Sequence, residues 1–157
     1  MLWADQEEYE NVKGPGWIFA VGRNTHIDPE DILIDSGAAM SVCAEQRGLT
    51  QPKGRGTALV SATRHRFNTL GAAAMVLDCV GGPSVQSMFQ VAPKNSGLQN
   101  TIISVGEVTD KGNVVVFRST GGSIVNLGSG RWIDFPRRDG IYKLNASMRL
   151  PAAPDWR

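Results

Sequence analysis

The apolar positions of the chain fall in short runs rather than at helical spacing. Residues 17–21 form an aromatic and β-branched run bounded by Gly16 and Gly22, which predicts a strand. Residues 31–35 carry Ile32, Leu33 and Ile34 without alternation, the pattern of a strand buried on both faces. That strand runs directly into Ser36, Gly37, Ala38 and Ala39. Segments 59–62 and 66–70 are spaced to pair as a hairpin around Thr63, Arg64 and His65. A second hairpin is predicted from 72–80 and 85–92, with Gly81, Gly82, Pro83 and Ser84 as its turn. Residues 100–105 carry Ile102, Ile103 and Val105, and 106–111 hold about one helical turn before Gly112 stops it. Short strands follow at 114–117, 123–127, 131–135 and 141–144, separated by glycine-containing turns. Many short strands with almost no amphipathic helix predict an all-β barrel or sandwich.

Composition narrows the class. The chain has 157 residues, 41% hydrophobic and 20% charged, enough for one domain with a real core and against wholesale disorder. Its 16 basic and 15 acidic residues leave a charge of +1, so neither nucleic acid nor an anionic membrane is an expected partner. No run approaches the roughly 18 apolar residues of a membrane span. Residues 1–15 turn acidic at once, without the basic and apolar segments of a secretory signal, so the reading is an intracellular, cytoplasmic protein. Cys43 and Cys79 show neither CxxC spacing nor clustering with His26 or His65, which predicts buried reduced thiols and no metal or other cofactor. The 18 glycines fit a chain of many turns.

The sharpest local feature is the delivery of Asp35 by an apolar strand into Ser36, Gly37 and Ala38. By average usage, Asp-[Ser/Thr]-Gly-[Ala/Ser] arises by luck in roughly one chain of this length in a hundred, and an apolar triplet before it lowers that about tenfold. The bland alternative is an ordinary strand-ending turn, where Asp, Ser and Gly are all common.

The pattern resembles the active-site loop of the aspartic proteases, and the one-domain length with Ala38 in fourth place resembles the retroviral and retrotransposon type. Residues 100–106 followed by 108–112 and 114–117 are similar to the second conserved block of retrotransposon proteases, where an apolar strand and a short helix cross behind the catalytic loop. On that resemblance Ile102, Ile103, Ser104, Val105 and Gly106 pack against the loop. Ala62, Thr63, Arg64, His65 and Arg66 fall where the family places its flap, although this tip lacks the glycines of viral flaps. Residues 137–144 resemble the stretch that follows the protease in copia-like polyproteins.

The resemblance implies a closed acid-protease barrel with one short helix, acting as a twofold homodimer on peptide or polyprotein substrates. Peptide hydrolysis of this kind needs one carboxylate as base and one carboxylic acid to polarise the carbonyl. The chain has a single Asp-Ser-Gly, so Asp35 of each subunit would meet its mate on the axis. Ser36 would lock the two loops across the dimer, and Gly37 would bring its amide to the carboxylate. Ala38 has no side-chain donor, which moves the expected working range from strongly acidic towards mildly acidic or neutral. The reading divides the chain into an acidic lead-in at 1–15, a protease domain at 16–127, and C-terminal strands and tail at 128–157. Two alternatives stand beside it: a catalytically inactive dimerisation or peptide-binding module of the same fold, and an unrelated β-barrel whose Asp-Ser-Gly is a turn.

Overall fold

The computed structural model describes residues 16–18, 31–45, 51–61 and 63–151. The lead-in at 1–15, positions 19–21 of the first predicted strand, the turn at 24–29, part of the 45–56 loop, Ala62 and the tail at 152–157 lie outside the described residues.

Twelve strands are described: β1 (Gly16–Ile18), β2 (Asp31–Asp35), β3 (Val42–Ala44), β4 (Ala58–Ser61), β5 (Arg66–Asn68), β6 (Ala72–Cys79), β7 (Ser84–Ala92), β8 (Thr101–Ser104), β9 (Asn113–Arg118), β10 (Gly121–Asn126), β11 (Trp132–Arg138) and β12 (Ile141–Arg149). One short α-helix, α1 (Val105–Asp110), and a 3-10 turn at Lys94–Ser96 complete the described elements. The fold is therefore mostly β. Six strands in the order β2-β8-β3-β7-β6-β12 form a barrel that β2 and β12 close. β11, β10 and β9 continue outward from β12 as an antiparallel meander. β1, β4 and β5 form a separate three-stranded sheet.

Adjacent residues on a strand point to opposite faces. Ile32 and Ile34 of β2 join one buried cluster with Ile103, Phe89, Met75 and Leu144. Leu33, between them, joins a second cluster with Ile102, Val42 and Met88. Burial on both faces explains why the centre of β2 reads as an unbroken apolar run. The meander adds Ile124, Ile133 and Phe135 to the first cluster, and Phe117, Phe135 and Tyr142 meet edge to face there, Phe117 and Tyr142 with centroids 4.8 Å apart.

Two elements differ from the sequence expectation. β3 has no run of its own; three residues suffice because β7 pairs beside it in parallel and Val42 bridges Ile102 of β8. β12 extends five residues past the predicted end at Leu144 because its backbone pairs first with β2 and then with β6. The segment beyond residue 127 thus supplies a strand of the barrel.

The β4–β5 hairpin leaves the barrel at a tight root. A Cβ on Gly56 would collide with the carbonyl oxygen of Thr69. Gly71 sits at φ +130°, and a Cβ there would lie 2.6 Å from the Lys53 carbonyl oxygen, so both positions require glycine.

Candidate active site

Asp35 is the last residue of β2, and β2 runs parallel to β8 with Asp35 opposite Ser104. The strand ends there because Ser36 and Gly37 turn the chain. Gly37 N–H donates to Asp35 Oδ1 at 2.7 Å. Asp35 Oδ2 is buried, while Ser36 and Ala39 at the apex are exposed. Asp35 is therefore not on an outer, solvated hairpin: its carboxylate is partly sunk at a barrel end whose outermost residues face solvent.

The loop is fastened from behind. Ser104 Oγ donates to the Ala38 carbonyl oxygen at 2.8 Å, and Ser104 N–H donates to Ser41 Oγ at 3.0 Å. Ser41 N–H donates to Glu107 Oε2 at 3.1 Å. Ala38 and Met40 are buried against Leu33, Val42 and Ile102. Of the segment expected behind the loop, Ile102, Ile103 and Ser104 belong to β8, whereas Val105 and Gly106 open α1. Ile102 lies in the cluster under the loop and Ile103 in the barrel's other cluster.

The hairpin expected as a flap is β4 and β5, paired with Leu59 opposite Phe67. Leu59 and Phe67 lie in the same buried cluster as Ala38 and Met40, so the root of the hairpin and the Asp35 loop share one apolar floor. A polar link supports that root. Thr57 N–H donates to Thr69 Oγ1 at 2.9 Å, and Thr69 Oγ1 donates to the buried Gln90 Oε1 of β7 at 2.7 Å. Thr63, Arg64, His65 and Arg66 at the tip are exposed, and His65 stacks on Phe67 at 6.5 Å. Arg64 takes φ +62°.

The two cysteine thiols are held protonated at neutral pH. Cys43 and Cys79 are buried free thiols, and burial pushes Cys43 up to about 12 and Cys79 up to about 11. Among the described residues no three His, Cys, Asp or Glu side chains gather closely enough to hold a metal ion.

Sequence reasoning missed Ser41, Glu107, Thr69 and Gln90. The signal for one pair was present: Ser104 and Glu107 have the spacing of a helix capping box. Ser41 carries no local signal, because its partners are 63 and 66 residues away. No family model, no curated protein and no solved structure matches the chain.

Proposed function

We propose that the chain is one half of a homodimeric aspartic endopeptidase of the retropepsin-like type, cutting extended segments of a polyprotein. One observation carries this reading: a partly buried Asp35 ends an apolar strand, its carboxylate takes the Gly37 amide, and β8 backs the loop. A loop fixed in this way is what a general acid–base carboxylate requires, since a positioned group gains its effect from geometry fixed before reaction.

Two Asp35 carboxylates facing one another across a twofold axis share one proton, because two like charges at close range do not both ionise. Water then bonds to the scissile carbonyl carbon and passes a proton to the ionised carboxylate. The protonated partner donates to the carbonyl oxygen. Collapse of the tetrahedral intermediate delivers a proton to the leaving nitrogen as the C–N bond breaks. The exposed Ser36 and Ala39 are the surface on which the two loops would meet. Substrate backbone would lie along the β4–β5 hairpin as an added strand.

The test is digestion of a peptide library by wild type and Asp35→Asn at several protein concentrations and pH values. The expected outcome is cleavage whose specific activity rises with concentration, peaks at mildly acidic to neutral pH, and falls at least about a thousandfold in Asp35→Asn. Full activity in Asp35→Asn, or an optimum below about pH 3, overturns the mechanism. Peptide binding by a wild-type dimer without cleavage would select the inactive peptide-binding module instead.

A further inference from the structure

In a capping box the N-cap hydroxyl takes the N3 amide, and the N3 carboxylate reaches back to the N-cap amide. In α1 the first half is made in this way: Glu107 N–H donates to Ser104 Oγ at 3.2 Å. The second half is routed through the Asp35 loop. Ser104 N–H goes to Ser41 Oγ, and Glu107 Oε2 takes the Ser41 N–H. Ser41 is thus inserted between the two members of the box, and Ser104 Oγ reaches on to the Ala38 carbonyl.

We infer that Glu107 is a positioning residue, its carboxylate fixing the far end of the Asp35 loop through the Ser41 amide. The near end of the loop is set by β2 pairing with β8, and its middle by the Ala38 carbonyl on Ser104. At the far end the Ser41 carbonyl accepts from Gln90 N–H at 2.9 Å and Ser41 Oγ from Ser104 N–H, and Glu107 adds a charged acceptor for the remaining backbone donor, the stronger kind of hydrogen bond. The backbone amide of Ser41 cannot be changed by side-chain mutation, so the Glu107 side chain is the adjustable half of this contact. Its role in catalysis rests on the protease reading; its role in holding the loop does not.

The experiment compares Glu107→Ala and Glu107→Gln by peptide-resolved hydrogen exchange of the full chain and by steady-state kinetics. In Glu107→Ala, amides in 36–44 exchange at least about tenfold faster, while those of β6 and β7 are unchanged. Glu107→Gln keeps an oxygen acceptor and stays within about threefold of wild type. Kinetically, Glu107→Ala lowers kcat by about tenfold to a hundredfold with KM within about twofold, because the acid is misplaced and the hairpin is untouched. Faster exchange confined to 105–112 would reduce Glu107 to a helix cap and overturn the inference, as would Gln behaving like Ala. Full activity in Asp35→Asn would remove the protease reading alone, and the exchange measurement would still decide the clamp.

Discussion

The Asp35 loop and the tip of the β4–β5 hairpin are both short turns built around serine, yet they are held in opposite ways. The loop is tied by Ser104 and Glu107 to positions 63 to 66 residues distant. The turn at the tip is closed by its own groups, while β4 beneath it pairs in parallel with β1, Ile18 opposite Ser61. Ser61 N–H donates to the His65 carbonyl at 2.9 Å, Arg64 N–H to the Ser61 carbonyl at 2.8 Å, and His65 N–H to Ser61 Oγ at 3.1 Å. Ser61 Oγ and Thr63 Oγ1 lie 2.9 Å apart. Moving the loop off Ser104 and Glu107 breaks bonds to residues far along the chain, whereas the turn at the tip closes through contacts among residues 61–65. The two turns thus differ in the sequence distance of the partners that close them, not in composition.

The largest test of that contrast is Ser104→Ala. Ser104 is fully buried, and its hydroxyl serves both the Ala38 carbonyl and the Glu107 amide. Removing it leaves two backbone groups short of a partner, which costs about 2–4 kcal/mol in urea unfolding and accelerates exchange across 36–44. A loss under about 0.5 kcal/mol would show that the loop is held by its apolar contacts alone.

The matching change at the tip, Ser61→Ala, is smaller. It removes the contact with Thr63 Oγ1 and the acceptor for His65 N–H, both exposed, while Ser61 N–H to His65 C=O remains. The expected cost is under about 1 kcal/mol, with faster exchange confined to 61–66. A cost equal to that of Ser104→Ala would erase the distinction between the two turns.

The same distinction decides what was legible in the sequence. Features held by near neighbours could be read: the β4–β5 hairpin from the spacing of its segments, the β6–β7 hairpin from its turn residues, and α1 from its stop at Gly112. The continuous apolar run of β2 announced burial on both faces, and the two clusters bear that out. β3, the extension of β12 and the partners of Ser41 could not be read, because each is created by a backbone or side chain far away in the sequence. The candidate site divides along the same line. Asp35, Ser36, Gly37 and Ala38 form a local word, and the Gly37 amide on Asp35 is a contact within it. The groups behind that word, Ser41 and Glu107, become neighbours only when the barrel closes.

The smallest predicted effect concerns Arg64, the residue that hid the tip's geometry. A left-handed residue in a hairpin turn is usually glycine, and the stretch from Thr63 to Arg66 has none, so nothing in its residue types signals the conformation. Arg64 adopts φ +62° nonetheless, and a side chain in that region costs about 1–2 kcal/mol. Arg64→Gly removes that cost but adds roughly 0.5–1 kcal/mol of chain entropy to the unfolded state. The net expectation is a stabilisation of about 0.5 kcal/mol, read by urea unfolding, with the exchange of 36–44 unchanged. The sign carries the information. A destabilisation above about 1 kcal/mol would mean that the arginine side chain holds the tip to something beyond itself, and the tip would then be anchored as the Asp35 loop is.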